Sequence, residues 1–274
     1  MRPLSELDDG RLVNCVAVLT DIDDTLTTDG QLPATAYAAL ERLADAGLAV
    51  VPITGRPAGW CDMIARLWPV AGIVGENGAF YFSYDREKRV MRQKFFATAE
   101  ERRKNRFRLD VLRQDILAKV PGAGIASDQL YREADLAIDF CEDVPALPED
   151  QVQLILDMFK EAGAVAKLSS IHVNGWFGNY DKLSMSRIFA KDILGMDLDA
   201  DRARIIFAGD SPNDGPMFEF FPNSCGVANV RDFEPGSFAP PAFVAPSEGG
   251  AGFVEIAERI LSAHPVPARE AAHV

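Results

Sequence analysis

The sequence contains no apolar run long enough to cross a bilayer. A membrane-spanning helix needs roughly 18 to 20 predominantly apolar residues, and the apolar stretch 13–19 near the N-terminus is bounded by Asp8, Asp9 and Asp21. We therefore predict neither a membrane span nor a signal peptide.

Cysteine is scarce and histidine scarcer, with four and three copies in 274 residues. The cysteines are far apart and form no Cys-x-x-Cys pair: Cys15, Cys61, Cys141 and Cys225. This spacing predicts isolated thiols in a reducing compartment rather than a disulfide or zinc framework. The cytoplasm is the expected location.

Basic residues are fewer than acidic ones: the sequence has 28 Lys and Arg residues and 41 Asp and Glu residues, which gives a net charge of -13. A protein whose main task is to coat nucleic acid or an anionic membrane is therefore excluded. The segment 80–113 is the exception, because it is basic within an acidic chain. It is either a solvated hairpin and helix face or a surface that attracts an anionic substrate.

The remaining composition, 48% hydrophobic and 25% charged, is that of a soluble globular protein of one large or two modest domains. An apolar run at 15–20, a helical pattern at 33–46 and a second apolar run at 48–53 predict a strand, a helix and a strand. Such a crossover unit favours an α/β fold with a doubly wound, mostly parallel sheet. A third strand is expected at Ile73 and Val74.

After residue 80 the sequence pattern no longer alternates strand and helix regularly, and it indicates hairpins and an α+β arrangement. We predict a hairpin at 80–96, helices at 98–120 and 148–162, and strands at 134–140 and 165–173. Residues 84–178 are therefore predicted to be an inserted α+β domain, and 1–83 with 179–274 the core. The pattern of a parallel α/β sheet resumes after the insert, with a helix at 184–194, a strand at 205–208 and helices at 217–220 and 253–261. A loose tail is expected from about His264.

Polar residues directly follow the predicted buried strands, where ligands bind in open parallel sheets. Asp21 and Asp23 follow the first strand, Thr54-Gly55-Arg56 follow the second, and Asp210 to Asp214 follow the strand at 205–208. Lys182 opens the helix after the insert. Carboxylates that can hold Mg²⁺, beside hydroxyl and ammonium groups that can neutralise a phosphate, favour phosphoryl transfer.

In order, spacing and identity these four clusters resemble the motifs of the haloacid dehalogenase superfamily, in its phosphatase branch. The insert lies between the second and third motifs, where the superfamily's larger α+β caps occur. Cof-type, sucrose-phosphatase-like, trehalose-phosphate phosphatase and mannosyl-3-phosphoglycerate phosphatase groups carry such caps. One departure is Asp24, where many members have glycine.

The resemblance implies a role for each matching residue. Asp21 would be the nucleophile and Asp23 the general acid and base, while Thr54 and Lys182 would bind the phosphoryl group. Gly55, Arg56, Asn77 and Asn213 are further candidates for substrate binding. Mg²⁺ would be held by Asp21, the main-chain carbonyl of Asp23, Asp210 and Asp214.

We therefore expect a Mg²⁺-dependent phosphatase acting on a small phosphorylated metabolite, with a sugar phosphate as the favoured substrate. Neither nucleic acid nor a membrane is expected as a partner. Two alternatives stay open: a phosphohexomutase that returns the phosphoryl group to the sugar, and a non-catalytic sugar-phosphate binding module. Near the end of the insert, residues 172–177 either pack the hinge or contact a sugar.

Overall fold

The computed structural model describes residues 1–169 and 171–264. The predicted loose tail therefore lies almost entirely outside the described residues. No helix in the described residues is both long and apolar enough to span a membrane. None of the four cysteines, all in the described residues, forms a disulfide, as expected from their spacing.

Strands and helices alternate through most of the chain. The strands are β1 (Arg2–Pro3), β2 (Ala17–Thr20), β3 (Ala49–Pro52), β4 (Ile73–Gly75), β5 (Phe80–Asp85), β6 (Val90–Phe95), β7 (Gly124–Ile125), β8 (Asp135–Asp139), β9 (Val165–Leu168), β10 (His172–Trp176), β11 (Ile205–Gly209), β12 (Ser224–Gly226) and β13 (Phe243–Val244). The helices are α1 (Asp9–Leu12), α2 (Ala34–Asp45), α3 (Ala58–Leu67), α4 (Ala99–Lys119), α5 (Glu149–Glu161), α6 (Lys182–Phe189), α7 (Leu198–Asp201), α8 (Gly215–Phe220) and α9 (Gly249–Ala263).

The main sheet has six strands in the order β1-β13-β12-β11-β2-β3, and every pair in it is parallel. Successive residues of a strand face opposite sides of the sheet. Accordingly Val18 packs in the apolar core with α2, α3 and α9, whereas Ala17 and Leu19 pack in the core with α6 and α8. Helices on both faces confirm the predicted doubly wound α/β fold.

A second, antiparallel sheet, β4-β5-β6, adjoins the main sheet through a parallel bridge between Ile53 and Val74. Phe80 and Phe82 of β5 are buried in the core shared with α2, α3 and α9. The hairpin predicted at 80–96 is therefore present, but it packs on the core sheet. The predicted domain boundary at residue 84 falls inside β5, and the division into two domains stays a prediction.

A third sheet, β7-β8-β10-β9, is wholly antiparallel and is covered by α4 and α5. It has an apolar core of its own that includes Leu112, Ile155 and Phe159. We call residues 97–177 the cap. The strand predicted at 165–173 is in fact two strands, because the chain reverses direction between β9 and β10.

The ends of several helices also differ from the sequence prediction. α6 begins at Lys182, two residues early, because Asp181 and Ser184 form a reciprocal capping box. α9 begins at Gly249 instead of residue 253. Its first residues approach backbone closely, since a Cβ at Gly250 would lie 2.7 Å from the Leu26 carbonyl oxygen.

The cap core provides a test of the fold. Phe159 is completely buried, so Phe159→Ala is expected to lower the free energy of unfolding by about 3 to 5 kcal/mol. Phe107, on the same cap but 71% exposed, is the control, and its change to alanine should stay within about 0.5 kcal/mol. Urea unfolding measures both, and equal losses would contradict the assigned cap core.

Candidate active site

Parallel pairing brings the ends of β2, β3 and β11 to one edge of the main sheet. Thr20 is in register with Pro52 on one side and Ala208 on the other. The residues that follow therefore meet, and the N–H of Asp21 donates to the carbonyl of Ala208 at 2.9 Å. This register places the predicted site residues of three separate segments together.

Three carboxylates cluster at this edge. Asp21, Asp210 and Asp214 are all buried, and each offers an oxygen within 4.8 Å of the others. The Oδ1 of Asp21 accepts the N–H of Ile22 at 2.9 Å, and Thr25 donates its hydroxyl to Asp210 Oδ1 at 3.0 Å. The cluster is thus held by its own segment and by one hydroxyl.

The ammonium of Lys182 lies between two of these carboxylates, 3.1 Å from Asp21 Oδ2 and 2.8 Å from Asp214 Oδ1. Burial opposes the charge on Lys182, but the two carboxylates outweigh it and raise its pKa. Burial raises the pKa of Asp21 to about 7 and that of Asp210 well above its ordinary range. Three carboxylates cluster around one ammonium that contacts two of them, so acidic groups outnumber the basic group at this site.

Lys182 reaches this position because α6 starts directly against the turn after β4. Gly78 has φ +106°, and a Cβ there would lie only 2.0 Å from the carbonyl oxygen of Asp181. Any other residue at position 78 would push the start of the helix away from the sheet. The glycine therefore helps to set where the Lys182 side chain begins.

Asp23 lies two residues beyond Asp21 and is paired with Arg56. The Nε of Arg56 is 3.0 Å from both Asp23 oxygens, and its second donor nitrogen is 2.7 Å from Oδ1. The guanidinium also lies over the ring of Trp60, 4.6 Å from its centroid. Asp24, which follows, has φ +56°, a left-handed conformation that glycine adopts most readily.

The loop after β3 lies on the other side of Asp21. Thr54 is fully buried, and its Oγ1 accepts the N–H of Arg56 at 3.0 Å. The N–H of Asn77 donates to the Thr54 carbonyl at 3.0 Å. A Cβ on Gly55 would lie 3.2 Å from the Asn77 amide nitrogen, so the loop and this side chain are in close contact.

A cavity of about 320 Å³ opens between this edge and the cap. Seven predicted site residues line it: Asp21, Asp23, Gly55, Arg56, Asn77, Asp210 and Asn213. Thr54, Lys182 and Asp214 are buried beside these lining residues and are not in the cavity wall itself. The structure thus brings all ten predicted residues to one place, and their individual roles stay predictions.

The cap contributes polar wall residues that the sequence did not single out clearly. Arg132, His172 and Asn174 line the cavity. Trp176, by contrast, stacks on Tyr180 with ring centroids 5.6 Å apart and belongs to the core cluster. The first half of 172–177 therefore faces the cavity, whereas Trp176 packs in the core, and contact with a sugar stays a prediction.

Glu76 and Arg132 are buried charged residues that the sequence pattern did not single out. Glu76 follows a buried strand as Asp21 does, and that signal could have singled it out. Arg132 has Asp128 and Asp135 at helix-like spacings of four and three, but this pattern usually indicates a solvated surface. Its burial could not be inferred from the spacing.

The basic segment 80–113 behaves as a solvated face. Within the described part of the chain, none of its arginines or lysines lines the cavity. Arg102 instead lies over the ring of Phe95 at 3.7 Å, and Lys104 pairs with Glu100 at 2.8 Å. The sharper interpretation, that this segment attracts the substrate, finds no support in these contacts.

The carboxylate cluster fits a hard divalent cation. Mg²⁺ prefers oxygen ligands and is commonly held by one or two carboxylates together with waters and phosphate oxygens. Asp21 and Asp210 offer such oxygens at the cavity wall, and Asp214 offers one behind them. Their excess of negative charge over the single ammonium is what such a cation would offset.

Fold and site together define a doubly wound α/β protein with an acidic centre at the carboxyl edge of its sheet and a cap above it. The profile of haloacid dehalogenase-like hydrolases matches residues 18–103. These residues carry the first two predicted motifs. Among proteins with curated functions, none is significantly similar in sequence to this chain.

Solved structures share the whole architecture. A protein of Thermoplasma acidophilum superposes with a TM-score of 0.69 at 18% identity, covering 90% of this chain and 98% of its own. A HAD/COF-like hydrolase of Plasmodium vivax has a TM-score of 0.66 at 16% identity, covering 93% and 99%. The sucrose-phosphatase of Synechocystis, solved with sucrose and phosphate, has a TM-score of 0.60 at 16% identity, covering 89% and 97%.

The profile match covers the first two motifs, and the shared fold agrees with the resemblance inferred from all four. The fold is the one shared with Cof-type hydrolases and with a sucrose-phosphatase.

The close approach at Gly78 is testable. Gly78→Ala combines a left-handed φ with a Cβ too close to Asp181, so we expect it to lower the free energy of unfolding by about 2 to 4 kcal/mol. Gly163, with φ +74° and open space around its Cβ, is the matched control, and its change to alanine should lose only about 1 kcal/mol. Denaturant titration compares the two, and equal losses would show that α6 accommodates the methyl group.

The carboxylate excess predicts a stability that depends on pH and metal. A carboxyl group whose pKa is raised on folding contributes most below its unfolded pKa, and that contribution falls as pH rises through the folded pKa. Because burial raises the pKa of Asp21 to about 7, metal-free protein should lose stability between about pH 4 and pH 7. Saturating Mg²⁺ at pH 7.5 should raise the melting temperature by about 5 °C.

The variant Asp210→Asn removes one carboxylate of the cluster. It should melt higher than the wild type in chelator and gain little from Mg²⁺. Asp62→Asn, at an exposed carboxylate that pairs with Arg66, should respond to Mg²⁺ as the wild type does. A wild-type melting temperature unchanged by Mg²⁺ would count against the cation site.

Proposed function

We propose that this chain is a Mg²⁺-dependent phosphatase that releases phosphate from a small phosphorylated metabolite, first of all a sugar phosphate. The observation that carries this is the placement of Asp21: a buried carboxylate 3.1 Å from the Lys182 ammonium, beside two further carboxylates and at the wall of a cavity. A nucleophile for phosphorus needs just such neighbours, because a phosphate monoester is itself an anion.

The first step is attack by the Asp21 carboxylate on phosphorus. The bond from phosphorus to the alcohol oxygen breaks, and a proton from Asp23 passes to that oxygen, so the free alcohol leaves. The Thr54 hydroxyl and the Lys182 ammonium hold phosphoryl oxygens during the transfer. Mg²⁺ held by Asp21, the Asp23 carbonyl, Asp210 and Asp214 would neutralise part of the charge that gathers on the phosphoryl group.

The second step is hydrolysis of the aspartyl-phosphate. Asp23, now ionised, takes a proton from a water molecule as that water attacks phosphorus, and the bond to Asp21 breaks. Both oxygens of Asp23 accept from Arg56 in this structure. The acid step therefore requires one of these contacts to be given up when substrate enters.

The cavity supports a polyhydroxylated leaving group. Its volume of about 320 Å³ suits a small molecule. The wall includes the amides of Asn77, Asn174, Asn213 and Asn229, and each amide can both donate to and accept from a sugar hydroxyl. The structural likeness to a sucrose-phosphatase agrees with this choice. The four cysteines, which form no disulfide in the described residues, agree with our proposal that the protein acts in the cytoplasm.

The test is phosphate release from sugar, glycerate and nucleotide monophosphates, with Mg²⁺ and with chelator. Asp21→Asn should abolish release, and Asp23→Asn should lower kcat by about 10²- to 10⁴-fold, the usual contribution of a general acid. Acid quenching with radiolabelled substrate should trap an acyl phosphate in wild type and Asp23→Asn but not in Asp21→Asn. Asp62→Asn serves as the surface control.

Three outcomes would contradict the proposal. Release that survives in pure Asp21→Asn would remove the nucleophile. Interconversion of hexose phosphate isomers without release of phosphate would replace hydrolysis with phosphohexomutase activity. Binding of phosphate analogues with no turnover on the whole panel would leave a binding module.

A further inference from the structure

The start of cap strand β8 is held by a carboxylate of the core. Glu76 is completely buried and follows β4. Its Oε1 accepts the N–H of Glu133 at 2.8 Å, and its Oε2 accepts those of Ala134 at 2.6 Å and Asp135 at 3.2 Å. The same Oε1 also accepts the N–H of Ala58 at 3.0 Å, the first residue of α3. One side chain therefore ties the cap to the helix that follows the phosphoryl-binding loop.

A cationic side chain of the cap contacts the core in turn. Arg132, in the cap, donates to the carbonyl oxygen of Gly55 at 3.0 Å. The same nitrogen, Nη1, also lies 3.1 Å from each oxygen of Asp135, while Nε and Nη2 donate to Asp128 at 2.9 and 3.1 Å. The guanidinium is thus fixed by two buried carboxylates before it reaches the core. We call Glu76, Arg132 and these contacts the cap clamp.

The Gly55 carbonyl matters because of the peptide bond to which it belongs. A peptide bond is planar, so its C=O and N–H point in opposite directions. When Arg132 holds the oxygen of Gly55, the N–H of Arg56 on the far side is oriented as well. That N–H donates to Thr54 Oγ1 at 3.0 Å.

The consequence reaches the hydroxyl of Thr54. A hydroxyl has one hydrogen to donate and two lone pairs to accept with. Because the Arg56 N–H occupies a lone pair, the position of Oγ1 is set while its hydrogen stays available for another acceptor. In the proposed function that acceptor is a phosphoryl oxygen.

We propose that Arg132 is a positioning residue, which acts through the Gly55–Arg56 peptide to orient the Thr54 hydroxyl for an incoming phosphate monoester, and that Glu76 anchors the cap segment from which Arg132 reaches. The proposal rests on the proposed function for the identity of the ligand. The clamp itself rests on the contacts alone. It makes the cap a working part of the phosphoryl site and not only a cover above it.

The geometry demands arginine. Five N–H donors in a rigid planar fork serve three acceptors at once, and a lysine ammonium on a flexible stem cannot match that arrangement. Arg132→Lys keeps the buried positive charge that Asp128 and Asp135 require, so the fold is expected to survive. It loses the fixed contact to Gly55, and this loss is what the experiment measures.

Two readouts test the clamp. Hydrogen exchange followed by mass spectrometry should show faster exchange in the segment 54–58 of Arg132→Lys. The Gly55 carbonyl loses its fixed donor there, so the peptide that carries the Arg56 N–H is held less firmly against Thr54. Phosphate-monoester turnover should show a rise in KM larger than the fall in kcat, with kcat/KM lowered on the order of 100-fold, as a misplacement of about 1 Å can cause.

The control is Arg187→Lys. Arg187 also makes a two-point contact, with Asp199 at 2.8 and 2.9 Å, but at the surface of α6. It should leave exchange at 54–58 and both kinetic constants unchanged. A second variant, Glu76→Gln, places an amide donor against backbone N–H donors and should speed exchange at both 54–58 and 133–135, even if its lower stability complicates kinetics.

The outcomes separate the two proposals. Unchanged exchange at 54–58 in Arg132→Lys, or faster exchange with kinetic constants equal to those of the wild type, would overturn the positioning role. Faster exchange in a protein whose wild type neither hydrolyses nor binds any phosphate monoester would support the clamp and overturn the phosphatase proposal. Faster exchange together with the raised KM supports both.

Discussion

The burial of Lys182 between Asp21 and Asp214 is the contact on which the site depends. An ammonium taken out of water is stable only when carboxylates surround it, and here two lie within 3.1 Å. A third carboxylate, Asp210, stands beside them and accepts the Thr25 hydroxyl. The excess of carboxylates over the ammonium is what the proposed divalent cation would offset, and in the proposed function Lys182 and Thr54 would hold the anionic substrate.

The need to pair buried charges also bears on the role of the cap. A cover that only sheltered the cavity would need no charge across its base, and burying charge is costly unless each group is paired. Yet Glu76 is buried beneath the cap, and Arg132 is buried with two carboxylates. These groups join the cap to the loop carrying Thr54. In the proposed function, the segment that shapes the cavity would therefore also shape the phosphoryl site, and leaving-group binding and phosphoryl binding would be linked.

Much of the fold and the site could be predicted from local pattern. A short apolar run such as 15–20 indicates a buried strand, and polar residues directly after it lie at the ligand-binding edge of a parallel sheet. Asp21, Thr54 and Asp210 were found in this way. Lys182 was identified only through its place in the order of motifs, and Arg132 was not found, since burial of a charged residue leaves no periodic signal.

The sequence by itself determined the alternation of strands and helices, the segment that carries the cap and the chemical groups at the sheet edge. Each of these depends on spacing within about 20 residues, which burial imposes directly. Only the tertiary structure decided that the 80–95 hairpin packs on the core, that Arg56 pairs with Asp23, and that Arg132 reaches Gly55 across 77 positions. Such contacts follow from how packed elements meet in space, and local sequence does not encode that geometry.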